Sequence, residues 1–225
     1  MASRKALSIV IIIFFFIFPL HTYKDAYTRS IFTINQSLVK RYEKQYGPGA
    51  SERLTQWIEL INNNYNEDDL KKLKIVNDFF NKLKFIDDII HWKQEDYWAT
   101  PAEFLSSGAG DCEDFAISKF YTLIKMGISE EKLTLTYTKS ITLNQAHMVL
   151  TYYPSASAQP LILDNIDKQI KPSIQRKDLL PVYSLNGTGL WIAKQRGKGK
   201  LVGDGSNLKK WNELISKLEK EGFTD

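Results

Sequence analysis

Residues 108–126, GAGDCEDFAISKFYTLIKM, hold the one cysteine of the 225-residue chain, and their reading decides how the rest is assembled. Asp111 stands at an N-cap position and Asp114, three residues on, can complete a capping box, so a helix opens with Cys112 in its first turn. Phe115, Ile117, Phe120, Leu123 and Ile124 give that helix an apolar face, and Gly127 stops it. Unpaired backbone N–H groups and the positive end of the helix dipole favour an anion at such a terminus, and a thiolate is an anion. Cys112 is therefore the candidate nucleophile; the bland alternative is a small buried hydrophobe.

Immediately upstream, Thr100-Pro101-Ala102-Glu103 supplies a cap, a proline at the first helical position and an acid three residues after the cap. A short helix starts there and ends at Ser106-Ser107-Gly108, which brings Trp98 back toward Cys112. Further upstream, Leu54, Trp57, Ile58 and Ile61 recur at helical spacing, with Ser51 as a cap and Asn62-Asn63-Asn64 as the exit. Asn66 or Glu67 opens a second helix with Leu70, Leu73, Val76, Phe80 and Leu83 on one face. Residues 85–97, FIDDIIHWKQEDY, fit helix or strand equally, and His91 in this stretch is assigned a structural role. Residues 22–46 form an arm without a clear pattern, closed by the turn Tyr46-Gly47-Pro48-Gly49.

Downstream of Gly127 the period changes from 3.6 to 2. Residues 133–138, LTLTYT, alternate; residues 147–153 are β-rich; and Leu161-Ile162-Leu163 is a third short run. Residues 171–181 read as a connection, residues 182–185 and 189–193 as two further strands, and residues 196–205 as a Gly/Lys-rich loop. A closing helix carries Leu208, Trp211, Leu214, Ile215 and Leu218. Helices packed on an antiparallel sheet, the α+β class, accommodate this order.

The N-terminus narrows the setting. Arg4 and Lys5 precede the apolar run of residues 6–20, the pattern of a secretory signal, although no small-residue cleavage site follows and an uncleaved anchor fits the same run. Residues 1–22 are read as that segment and residues 23–225 as a single domain. Within it we place a helical part at about 50–127, a sheet part at about 131–195 and a closing helix at about 207–221. Either reading of the signal places the domain outside the cytoplasm. One cysteine excludes an internal disulfide, so an exported chain with a single thiol suggests a reactive or a protected group. The formal charge of +4 drops by two when Arg4 and Lys5 leave, too small an excess for nucleic acid as the main partner.

The strands suggest partners for the thiol. A hairpin joining residues 147–153 to residues 161–164 with its turn centred between Ser155 and Ala156 sets His147 opposite Asp164. A carboxylate there orients an imidazole, which takes a thiol proton and returns it to a leaving amine. The Cys112 amide is then the first oxyanion donor to suspect. Asp111, Glu113 and Asp114 work against this scheme, since like charges raise a thiol pKa. A bound cation relieves that conflict, and hard oxygen ligands suit calcium better than zinc; helix capping alone also accounts for the three acids.

Residues 97–103 (YWATPAE), 110–114 (GDCED), 146–150 (AHMVL) and 163–165 (LDN), continued by Arg176-Lys177-Asp178-Leu179 and Tyr183-Ser184-Leu185-Asn186, resemble the bacterial transglutaminase-like cysteine proteinases, in particular the periplasmic LapG-type adhesin proteases. The resemblance covers most of the chain after Ile86. It implies a papain-like or transglutaminase-like α+β fold with Cys112, His147 and Asp164 as catalytic triad, Trp98 as support for the oxyanion, and calcium held by Asp111, Glu113 and Asp114. It further implies a periplasmic endopeptidase that cleaves the N-terminal region of a large cell-surface adhesin, releasing it and dispersing biofilm. An inner-membrane receptor responsive to cyclic di-GMP would control it through a periplasmic domain. Transglutaminase or amidase acyl transfer through the same thioester, and a non-catalytic calcium-responsive binding module, are the competing classes.

Overall fold

The computed structural model describes residues 31–155, 157–187, 189–192, 201–203 and 209–223, so residues 1–22, read above as a signal, lie outside the described residues. The described chain opens with α1 (Gln36–Tyr46), where the sequence suggested only an arm. Asn35 caps it, its side chain accepting from the Ser37 N–H at 2.9 Å. Next, α2 (Pro48–Asn63) begins three residues before Ser51, because Pro48 sits at a first helical position where its missing N–H costs nothing. Leu54, Trp57 and Ile61 are buried on one face of α2, as expected. In α3 (Asp69–Phe80) Asp68 is the cap, and Leu73, Val76 and Phe80 face the core while Leu70 stays exposed. Fully burying side chains of this size contributes about 1.5–3 kcal/mol each.

The ambiguous stretch resolves into two short pieces, β1 (Lys84–Phe85) and α4 (Asp88–His91). Helix α5 (Pro101–Ser107) carries the expected capping box: Glu103 N–H donates to Thr100 Oγ1 at 3.1 Å and Thr100 N–H to Glu103 Oε2 at 2.9 Å. β2 (Ala109–Gly110) pairs in parallel with β1, Lys84 against Ala109 and Phe85 against Gly110. Helix α6 (Cys112–Lys125) follows at once and ends ahead of Gly127, whose φ of 86° is a left-handed stop.

The second half is the sheet: β3 (Leu133–Ser140), β4 (Gln145–Tyr152), β5 (Leu161–Leu163), β6 (Lys171–Pro172), β7 (Leu179–Asn186), β8 (Gly189–Ile192) and β9 (Leu201–Gly203). Their order is β6-β5-β4-β3-β7-β8-β9, every neighbour antiparallel. Three expectations shift: β6 opens the stretch read as a connection, β7 starts three residues before Val182, and β9 occupies part of the stretch read as a loop. The closing helix α7 (Lys209–Glu221) buries Trp211, Leu214 and Leu218. Among the described residues no helix is long and apolar enough to cross a membrane.

Helix α6 joins the halves, packing against α3 and α5 on the helical side and β3 and β4 on the other. Leu133, Leu135, Met148, Leu150 and Leu185 meet Phe115, Phe120 and Leu123 in one core. On the opposite face Thr134, Thr136, Thr151 and Ser184 are buried too. Their hydroxyls satisfy one another, Thr136 Oγ1 lying 2.8 Å from Thr151 Oγ1 and 3.0 Å from Ser184 Oγ. The alternation of β3 thus marks two buried faces, one greasy and one hydroxylic.

Candidate active site

Asp111 caps α6 as expected, but its carboxylate accepts from the Glu113 N–H at 3.2 Å, and Asp114 forms no capping box with it. Asp114 turns inward instead. The Ala99 N–H donates to its Oδ1 at 2.8 Å and Trp92 Nε1 to its Oδ2 at 3.0 Å, and the side chain is fully buried. Gly110 makes room for it: a Cβ there would lie 2.2 Å from Asp114 Oδ2, so only glycine permits this approach.

The short parallel ladder brings in a fourth acid that the sequence reading missed. Pairing of β1 with β2, continued by Ile86 N–H to the Gly110 carbonyl at 2.9 Å, lays residues 84–86 alongside residues 108–110 and places Asp88 at the foot of α6. Its Oδ2 accepts the Tyr97 N–H, while its Oδ1 is buried without a hydrogen-bond partner. Carboxylate oxygens of Asp88, Asp111 and Asp114 lie within 4.8 Å of one another, and those of Asp111 and Glu113 are within the same distance of each other and of the Cys112 sulfur. The only local signal was the pair Asp87-Asp88 inside a stretch of ambiguous period; the contact itself is long-range.

Burial and mutual repulsion act on all of these groups. Burial, with the charges of Glu113 and Asp114, pushes Asp111 up to about 10, and burial raises Asp88 to about 6. Asp114 moves well above the carboxylate range for the same first reason. The Cys112 thiol also rises, through burial and then the charges of Glu113 and Asp111, while a hydrogen bond from the Met148 backbone amide opposes the rise. The thiol donates to Glu113 Oε2 at 2.8 Å. Two overlapping acid clusters that share Asp111, one of them beside the thiol and the other with a buried unpartnered oxygen, are a donor set suited to a hard divalent cation.

His147 and Asp164 come together, by a register different from the one expected. Leu150 pairs with Leu163, which displaces the turn, and Asp164 sits just past the end of β5, diagonal to His147 rather than directly opposite. The diagonal reach suffices: His147 Nε2 is 2.8 Å from Asp164 Oδ1, both side chains almost wholly buried. Burial opposes ionisation of Asp164, yet its bond to His147, the imidazole's charge, the Ile166 amide and Arg176 hold its carboxyl well below the usual range. The thiol and this pair approach the same cavity, where Glu113, which accepts from the thiol, and Met148, which follows His147, both form the lining.

A cavity of about 180 Å³ opens beside these groups. Trp98 lines it together with Glu113 and Met148, the two residues that touch the thiol, and with Tyr137 and Tyr183, whose rings stack 4.9 Å apart. Trp98 thus returns to the neighbourhood of Cys112, and Lys217 of α7 donates to its carbonyl. His91 packs edge-on against Trp92, apart from the His147–Asp164 pair.

The model of a protein family described as bacterial transglutaminase-like cysteine proteinase matches residues 50–192. Among solved structures, EGTA-treated Legionella pneumophila LapG is similar at 39% identity and a TM-score of 0.71, covering 84% of this chain and 100% of that one. Calcium-bound Legionella pneumophila LapG is similar at 40% identity and a TM-score of 0.68, covering 81% of this chain and 98% of that one. No curated protein sequence matches the chain.

Proposed function

The chain belongs to the bacterial transglutaminase-like cysteine proteinases, and on that premise we propose that it is a calcium-dependent cysteine endopeptidase with Cys112 as nucleophile, His147 as general base and acid, and Asp164 as the group that orients the imidazole. The observation that carries this reading is that the lone thiol at the N-terminus of α6 and the bonded His147–Asp164 pair come to one cavity, lined by Glu113, which accepts from the thiol, and by Met148, which follows His147. Because Nε2 is engaged by Asp164, Nδ1 is the nitrogen left to take the thiol proton. The thiolate attacks the scissile carbonyl, and the Cys112 amide in the first turn of α6 donates to the oxyanion, with the Trp98 indole in support. The imidazolium then protonates the departing amine, and water hydrolyses the thioester with His147 again as base.

Asp88, Asp111, Glu113 and Asp114 would hold calcium, a reading supported by their clustering and by the calcium-bound relative. When bound, the ion supplies positive charge that keeps these acids ionised and offsets their effect on the thiol. We assign the protein to the periplasm and its substrate to the N-terminal region of a large surface adhesin, whose release disperses biofilm. The periplasmic domain of a cyclic di-GMP-responsive inner-membrane receptor is the proposed regulator. These assignments are supported by the LapG-type motifs and by the signal-like N-terminus. The test is cleavage of the host adhesin's N-terminal region by wild type and Cys112→Ala, each with calcium and with a chelator. Cleavage by wild type with calcium alone is expected. Incorporation of a labelled amine in place of hydrolysis would assign acyl transfer instead, and no cleavage by folded wild type in calcium would overturn the protease.

A further inference from the structure

Resting on the proteolytic reading, we propose that Arg176 is a positioning residue that fixes the Asp164 carboxylate in the orientation its bond to His147 requires. The two oxygens of Asp164 are divided between two tasks. Oδ1 faces His147 Nε2 at 2.8 Å and accepts the Ile166 N–H at 3.1 Å, while Oδ2 accepts from an Arg176 Nη2 at 2.7 Å. With only Oδ1 held, the carboxylate could swing about its terminal torsion, which has broad wells. A rigid guanidinium on Oδ2 removes that freedom.

Arg176 is itself anchored. Its Nε donates to Asp178 Oδ1 at 3.0 Å and its Nη2 to Asp178 Oδ2 at 2.7 Å, a two-point grip that leaves Nη2 shared between the two aspartates. Asp178 is fixed in turn at its backbone, where its carbonyl accepts the Ile141 N–H at 2.8 Å beyond the end of β3. The Arg176 side chain is 4% exposed, so water does not compete strongly for Oδ2. The Asp164 carbonyl is held from the helical side by Asn81 Nδ2 at 2.9 Å and Lys119 Nζ at 3.0 Å. Asp164 is thereby gripped at its backbone by the C-terminal cap of α3 and by α6, and at its carboxylate by the segment entering β7. This gives the Arg176-Lys177-Asp178-Leu179 motif a chemical purpose.

The charged and titratable groups around His147 are Asp164 from the end of β5, with Arg176, Asp178 and Lys119 behind it, and, across the cavity that Met148 lines, Glu113 of α6 with the Cys112 thiol it accepts from. Removing the guanidinium takes a positive charge from behind Asp164, so the imidazole should hold its proton more tightly. The experiment compares wild type, Arg176→Gln, Arg176→Lys and Asp178→Asn in calcium. It measures kcat and KM on the adhesin segment, the pH profile of kcat/KM, and the NMR titration of His147, one of three histidines. We expect Arg176→Gln to lower kcat about 10–100-fold with little change in KM, the range typical of outer supports of a reacting group. Its pH profile and the His147 titration should both move up. Arg176→Lys should restore the titration but not all of kcat, and Asp178→Asn should fall between. An Arg176→Gln protein that loses thermal stability alone, with kcat, pH profile and imidazole titration unmoved, overturns the role. If Arg176→Gln does not fold, Arg176→Lys and Asp178→Asn decide on the same criteria. If wild type does not cleave, the NMR signal of the His147 ring still reports whether Arg176→Gln disturbs its bond to Asp164, so failure of the protease reading and failure of the Arg176 role remain distinguishable.

Discussion

Asp114 and Asp164 are both buried to 1% exposure or less, and their surroundings drive them in opposite directions. Asp164 receives His147, Arg176 and a backbone amide on its carboxylate, which together outweigh burial and keep it ionised. Asp114 receives an indole and an amide, both neutral, and shares its neighbourhood with Asp88, Asp111 and Glu113, so its carboxyl rises. The first region carries its own cations and is electrostatically complete. The second is a set of acids gathered by a two-residue ladder and a glycine, and it is completed only by positive charge from outside.

The largest effect that tests this contrast is on the complete side. Asp164→Asn should reduce kcat about 10³–10⁴-fold, because an amide cannot both accept from the imidazole and stabilise its cation, as in Ser-His-Asp enzymes. Calcium affinity, measured by calorimetry on the same protein, should be unchanged. A variant that loses calcium binding in parallel would show the two regions to be one.

The converse substitution belongs to the incomplete side. Asp88→Asn should weaken calcium binding about 10–100-fold, the range set by loss of a group near a metal. The metal-free protein should melt no lower than wild type, since a buried acid among acids is being neutralised. Cleavage at saturating calcium should recover, unlike that of Asp164→Asn. If Asp88→Asn leaves the calcium titration unmoved, Asp88 is a structural acid held by the Tyr97 amide and no more.

Acidification separates the regions without mutation. Asp88 at about 6 and Asp111 at about 10 bind protons in the metal-free fold that the unfolded chain, with ordinary carboxyls, has released at neutral pH. Stability in chelator should therefore rise as pH falls from 7 to 5. The expected gain is about 2 kcal/mol, since each extra proton held by the fold is worth roughly 1.4 kcal/mol per pH unit and partial solvation reduces the sum. Asp164 has the opposite sign: its contribution is present above the unfolded carboxyl pKa and is lost as pH falls below it toward the depressed folded value. Calcium should flatten the rise between pH 7 and 5 and leave the acid loss in place. Melting curves at several pH values, with calcium and with chelator, check both limbs.

How much of this was legible in the sequence follows from which contacts are local. The cap at Asp111, the capping box at Thr100 and the faces of α2 and α6 are fixed by residues within four positions of each other and were readable, while the α3 face was read too widely, since Leu70 is exposed. His147 and Asp164 were paired correctly from strand pattern alone. Their register was off by two because the pairing of Leu150 with Leu163 centres the turn one position later than between Ser155 and Ala156. Asp88 was missed because its segment has no clean period, and its place depends on a parallel ladder too short to leave a pattern. The inward turn of Asp114 was missed because a capping box and a buried acid look the same until Trp92 and Ala99 arrive from elsewhere in the chain.

The smallest expected effect concerns Lys119, the cation that supports Asp164 from behind. Its Nζ donates to Asn77 Oδ1, Asn81 Oδ1 and the Asp164 carbonyl at 2.8–3.0 Å, and burial lowers it to about 7. Two effects compete in Lys119→Met. Three buried acceptors lose a charged donor, which costs each of them part of a hydrogen bond, while the fold no longer carries a buried ammonium. These nearly offset, and a net loss of about 1 kcal/mol is expected at pH 7. The sign of the pH dependence distinguishes this from simple packing. The unfolded lysine stays protonated well above pH 7 whereas the folded one does not, so the unfolded state binds more protons and wild-type stability gains a rising contribution from pH 7 to 9. Lys119→Met should lack that contribution. If the two proteins keep parallel stability curves over this range, Lys119 is charged throughout, and the grip on Asp164 is cationic at both backbone and side chain.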